Sequence, residues 1–157
     1  MKIEAEQRFI LQHPGTPAEA LAFLRDPARS LAGVRFLQDL QVQGRDVRAV
    51  LLVNVPMLGE VDLPLHSRVT DTPGGARLDA QALPDERAWI ELNGDGQADG
   101  STLTYAFRFT AHLSVPSAEK WGGAAFEKMM RAAAERTLAR LARELPEGVT
   151  RSLPAPD

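Results

Sequence analysis

The chain has 157 residues, the size of one domain, and that length buries roughly 70% of the unfolded surface without cross-links. With 44% hydrophobic and 25% charged residues it has the composition of a globular protein, which excludes disorder as its general state. A formal net charge of -3, from 18 basic and 21 acidic residues with no basic block, argues against nucleic acid as a partner, and the lack of cysteine removes disulfides, thiolate catalysis and cysteine-ligated zinc.

Residues 3 to 12 alternate Ile3, Ala5, Gln7, Phe9 and Leu11 with Glu4, Glu6 and Arg8, as in a half-buried strand. Thr16-Pro17-Ala18-Glu19 reads as a capped helix start that runs to Asp26-Pro27, where a second short helix begins and closes at Gly33. Strands are expected over residues 34–43, 47–55, 60–70, 76–83 and 86–93, with Val47 to Val55 apolar enough to be covered on both sides or to lie at the sheet's centre. Asn93-Gly94-Asp95-Gly96 opens a predicted hairpin loop reaching Gly100. The last strand has the cleanest alternation, with Leu103, Tyr105, Phe107, Phe109, Ala111 and Leu113 on one face.

Residues 117 to 145 predict one long helix. Its apolar stripe holds Phe126, Met129, Met130, Ala133, Ala134, Thr137, Leu138, Leu141 and Leu145. Pro146 and Gly148 are expected to end it. Residues 1–149 then form a single domain and 150–157 a flexible tail. Hairpin connections make the meander antiparallel, so the fold class is α+β: a curved sheet of six or seven strands gripping the C-terminal helix.

That order resembles the START-like, helix-grip (SRPBCC) superfamily, which includes polyketide cyclases and the G-type subunits of carbon monoxide dehydrogenase. The resemblance rests on the opening strand, the Thr16-to-Gly33 helix pair broken at Asp26-Pro27, the segment Leu31-Ala32-Gly33-Val34, the meander, and the long helix after Val115-Pro116. The chain is also similar to a small uncharacterised deinococcal family of this fold. The resemblance implies an apolar cavity between sheet and helix for a lipid, quinone or polyketide-like molecule. It carries over no catalytic residue and implies no cofactor.

Within that frame the candidate cavity residues are Tyr105, Phe107, Phe109, Phe126, Met129, Met130 and Thr137. Met57 and Leu58 form an apolar loop that would gate the site or touch a partner. In the competing reading Phe126, Met129 and Met130 simply fill the space. A cyclase-like or hydrolase-like enzyme would use Tyr105 as its acid, and a third reading is an interaction module working through the Met57-Leu58 loop or an edge strand.

Other motifs carry less. His13, His66 and His112 lack metal-ligand spacing, and His66 shares a polar strand face with Glu60 and Asp62. The Asn93-to-Asp99 oxygens imitate a calcium loop, but Ala98 stands at the required glycine. No Gly-x-Ser-x-Gly occurs. The reading is therefore a cytoplasmic monomer or homodimer with no membrane span, no metal and an apolar small molecule as its partner.

Overall fold

The computed structural model describes residues 1–56, 59–114 and 123–156. Seven strands form one antiparallel sheet: β1 (Lys2–Gln12), β2 (Leu37–Gln43), β3 (Asp46–Val55), β4 (Gly59–Thr72), β5 (Gly75–Ala80), β6 (Trp89–Asp99) and β7 (Thr102–His112). Two short helices, α1 (Pro17–Leu24) and α2 (Pro27–Ser30), separate β1 from β2, and a long helix, α3 (Ala124–Ser152), closes the described chain. The spatial order is β1-β7-β6-β5-β4-β3-β2. The six later strands form a meander, and the first strand returns to pair with the last.

The helix pair forms where the sequence places it. Thr16 caps α1, its hydroxyl accepting from the Glu19 amide at 3.2 Å, and Pro17 takes the first helical position. Asp26 precedes α2 but makes no side-chain cap. Arg25, at the C-cap of α1, donates to the carbonyls of Gly75 at 2.9 Å and Thr72 at 2.8 Å. These bonds pin the helix pair to the β4–β5 turn.

The β1–β7 pairing is continuous from Lys2↔His112 to Gln12↔Thr102. It brings Glu6 opposite Arg108, and a cross-strand ion pair forms, with Arg108 Nη2 2.6 Å from Glu6 Oε1. Inside, Ile3, Val53, Val55, Leu63, Ala111 and Leu113 surround Ala134, Thr137 and Leu138 of α3. Strands at opposite sides of the sheet thus meet the same helix turn, which requires the sheet to curl around it.

Three departures from the sequence reading matter most. First, β6 does not turn at Asn93-Gly94-Asp95-Gly96; it continues to Asp99, and the reversal falls at Gly100, whose φ is +59°. Gly94 and Gly96 point inward, and a Cβ at Gly94 would lie 2.7 Å from the Phe107 ring, one at Gly96 3.1 Å from Leu24. They are strand glycines that make room for neighbours rather than turn glycines.

Second, α3 passes through Pro146 and ends at Ser152. Its final turns are anchored: Gly148 and Val149 are buried, Ser152 accepts from the Gly33 amide at 2.8 Å, and Arg151 donates to the Gly33 carbonyl at 3.1 Å. Those contacts hold the helix beyond the single hydrogen bond that proline removes. The expected start of this helix at residue 117 lies outside the described residues.

Third, β3 is covered mainly on one side. Val47, Ala49, Leu51, Val53 and Val55 are buried, whereas Val50 and Leu52 on the outer face are half-buried.

The seat of α3 depends on a missing side chain. A Cβ on Gly148 would stand 2.7 Å from the Cα of Val34, closer than packed atoms allow. Gly148→Ala is expected to lower unfolding free energy by about 1–3 kcal/mol, read as a reduced denaturant midpoint at unchanged slope. An unchanged midpoint would show that this close approach does not support the fold.

Candidate functional site

The inner surface holds small, partly open spaces among the described residues. One, about 10 Å³, lies between α3 and the sheet at Ala134, Thr137 and Leu138. The other, about 30 Å³, lies under the helix pair, walled by Leu24, Pro27 and Leu31 above and by Val69, Ala76, Leu78, Gly96, Tyr105 and Phe107 below. The second has room for one or two waters, the first for none or one.

Tyr105 is the distinctive group at the larger space. It pairs with Gly96 on one side and Phe9 on the other. The absent side chain at Gly96 leaves room there for Leu24 of α1. Phe9, Tyr105 and Phe107 stack at nearly parallel angles, with centroids 4.9 Å apart for Phe9–Tyr105 and 5.8 Å for Tyr105–Phe107. The Tyr105 hydroxyl is buried and makes no hydrogen bond to the described residues. Burial pushes its phenol well above the ordinary value. Nearby, the Ser30 hydroxyl is already committed to the Asp26 carbonyl at 3.1 Å. An apolar wall with one unsatisfied hydroxyl can recognise an apolar molecule that carries one donor or acceptor. For proton transfer Tyr105 would need a second titratable group in hydrogen-bond contact, and none of the described residues supplies one.

The remaining predicted site residues are spread along the inner surface. Phe107 and Phe109 are buried on β7, and Phe109 meets Phe36 edge-on at 6.2 Å. Met130 is buried on α3, Phe126 is partly buried against the core, and Thr137 gives its hydroxyl to the Ala133 carbonyl at 3.1 Å. Met129 is a correction: it is 51% exposed and does not line the interior. The helix turn that directs Met130 inward directs its neighbour out. Met57 and Leu58 lie outside the described residues.

The burial of His13 is not visible in the sequence. It sits in the turn after β1 and is 4% exposed. Its Nδ1 accepts from the Gly15 amide at 2.9 Å, and its ring tilts against Phe23 at 5.4 Å. The His13-Pro14-Gly15 sequence looks like an exposed turn. The burial comes from the β6–β7 hairpin, whose Ser101 accepts from the His13 amide at 2.8 Å and donates to the Gly15 carbonyl at 2.8 Å.

The outer face is polar and largely self-neutralised. A shallow hollow of about 300 Å³ lies over Ala106, bordered by Glu6, Arg8, Arg77, Asp79, Asp95 and Arg108. Arg77 pairs with Asp79 at 3.0 Å and Arg45 with Asp71 at 3.0 Å. His66 lies against Asp46, with Nε2 2.8 Å from Oδ1, and this bond, aided by Arg68, holds the Asp46 carboxyl below the usual carboxylate range. His112 stacks on Trp89 with centroids 4.0 Å apart and meets Glu91 through Nε2. No group of three or more potential ligands that could hold a metal ion occurs among the described residues. No described helix is long and apolar enough to cross a membrane.

Solved structures share this architecture. The protein TTHA0849 from Thermus thermophilus aligns at TM-score 0.53 and 16% identity over 97% of this chain and 99% of its own. The Zhui aromatase/cyclase from Streptomyces sp. R1128 aligns at 0.52 and 11% identity, covering 95% and 93%. The di-domain ARO/CYC StfQ from the steffimycin biosynthetic pathway aligns at 0.54 and 15% identity, covering 95% of this chain and 49% of StfQ. The fold is therefore the helix-grip fold of the SRPBCC type. No curated protein sequence matches. Residues 8–143 match a family described as "Protein of unknown function (DUF3809)".

Two measurements follow from Tyr105, the single tyrosine. A buried hydroxyl without a partner costs stability, so Tyr105→Phe is expected to stabilise the free protein by ~1 kcal/mol in denaturant melts. A loss of that size would mean that the hydroxyl is satisfied. The raised phenol also fixes a sign. The folded state holds the proton more tightly than the unfolded chain, so this contribution is complete below the unfolded value of 10 and is lost as pH rises beyond it. Phenolate absorbance should therefore appear together with unfolding; its appearance in the folded protein near pH 10 would contradict the burial.

Proposed function

This chain belongs to the DUF3809 family, and we propose that it is a binding module for an apolar or amphipathic small molecule, held between the sheet and its covering helices. The carrying observation is the Tyr105 hydroxyl, buried without a partner on a residue that lines the small apolar space under α1 and α2. Such a group costs about 1–3 kcal/mol unless something bonds to it. A ligand with a carbonyl or hydroxyl removes that cost on binding. The fold shared with aromatase/cyclase structures supports the same reading.

That space is far smaller than the few hundred Å³ of an ordinary ligand pocket. Binding therefore displaces the helix layer. The helix pair, of 8 and 4 residues, is the shortest part of that layer and is the element that moves, its buried Ala20, Phe23 and Leu24 and the Arg25 bonds being the ties that must give. Tyr105 and Phe107 form the floor of the site. Phe109, Phe126, Met130 and Thr137 extend the wall toward α3.

The test uses an environment-sensitive apolar dye and its displacement by a long-chain fatty acid and by a naphthoquinone, beside native mass spectrometry of the purified protein. Saturable uptake is expected. Ala76→Leu should abolish it in protein that circular dichroism shows to be folded, because Ala76 lines the space. Tyr105→Phe should weaken carbonyl-bearing ligands by up to about tenfold. Uptake that ignores Ala76→Leu, or no uptake at all, would reject this site.

A further inference from the structure

The free edge of β1 has the features of a self-pairing surface. Met1 and Leu113 exchange backbone hydrogen bonds at 2.7 and 2.9 Å, and the His13 amide bonds to Ser101 at 2.8 Å. With the β1–β7 register, these bonds assign the odd-numbered residues of β1 to the β7 ladder. The amides and carbonyls of Glu4, Glu6, Arg8 and Ile10 therefore point away from the sheet. Among the described residues none reaches them; only the Lys2 carbonyl is taken, by Arg131 at 2.8 Å.

The opposite edge of the sheet is blunted. β2 is 7 residues long, and its register slips between Gln38 and Gln41, where Asp39 holds φ +54°. Short length and a bulge are the usual protections of an edge strand. β1 is 11 residues long with an unbroken register, and Ile10 on its outer face is 65% exposed.

We propose that two copies of this chain pair antiparallel through β1, with the two-fold axis at Gln7, joining both sheets into one. The side-chain sequence selects that register. Centred on Gln7, Glu6 faces Arg8 of the partner copy, twice by symmetry. Arg8 is exposed and makes no ion pair among the described residues, so this contact gives it a partner. Centring on Arg8 sets Arg8 against Arg8, and centring on Glu6 sets Glu6 against Glu6 beside its two Glu4–Arg8 pairs, so of the three the Gln7 centre alone has no like-charge contact. On the inner face the same register puts Phe9 against Ala5 and Leu11 against Ile3 of the partner copy, apolar against apolar. Phe9, Leu11 and Ala5 are only partly buried in the single chain, so pairing removes more apolar surface from water. Glu4, Glu6, Arg8 and Ile10 of each copy complete their backbone bonds.

The register is open to a direct test because the chain has no cysteine. In this arrangement Gln7 meets Gln7 of the partner copy at a non-hydrogen-bonded position, with Cα atoms about 4.5 Å apart, a separation that a disulfide spans. Gln7→Cys should form a covalent dimer under mild oxidation. Ala5→Cys, which faces Phe9, should not. Sedimentation of the wild-type chain should show a concentration-dependent dimer. Ile10→Pro removes an outward amide without touching the β7 ladder, so it should leave a folded monomer with an unchanged circular dichroism spectrum. Arg8→Glu should weaken the dimer by about tenfold or more. A wild-type chain that stays monomeric, equal cross-linking at residues 5 and 7, or an Ile10→Pro protein that is folded and still dimeric would each overturn the proposal. If Ile10→Pro fails to fold, Arg8→Glu and the cysteine pair decide the matter.

Discussion

The contact between the apolar stripe of α3 and the curled sheet organises this molecule. Ala134, Leu138, Ala142, Leu145 and Val149 are all buried, at the spacing of one helix face. No flat sheet could bring Ile3 of β1 and Val53 of β3 to the same helix turn, because the two strands stand at opposite sides of the strand order. The curl and the stripe thus require each other. The helix pair then covers the part of the inner face that α3 does not reach, and the Tyr105 space lies beneath it.

The legibility of this arrangement follows the range of the interactions. Thr16 with Glu19, and the alternation of β7, depend on neighbours a few residues away, and both are visible in the sequence. The Glu6–Arg108 pair becomes legible once β1 and β7 are expected to lie side by side. By contrast, Gly94 and Gly96 have the chemistry of a turn, and only the approach of Phe107 and Leu24 makes them strand residues. Pro146 has the chemistry of a helix end, and only the clasp between Gly33 and Ser152 carries the helix past it.

The candidate site divides in the same way. Period two places Tyr105, Phe107 and Phe109 inward, and they are inward. Met129 joins the predicted stripe because it is apolar and adjacent to Met130, yet the helical period gives the two residues different faces. His13 is hidden from a local reading because its burial is made by a hairpin far along the chain. The missing hydrogen bond at Tyr105 is likewise unreadable, since it depends on what every surrounding element does not offer.

The closure of the sheet also constrains how the protein is made. Glu6 and Arg108 are 102 residues apart, so during synthesis the first strand leaves the ribosome long before its neighbour exists. Until then both of its edges are bare, and the meander that it will complete is still growing. Final closure is a long-range event, of the kind that slows folding and favours strand exchange between nascent chains. Mutations that delay β7 should therefore raise aggregation during expression even where they leave the finished protein stable.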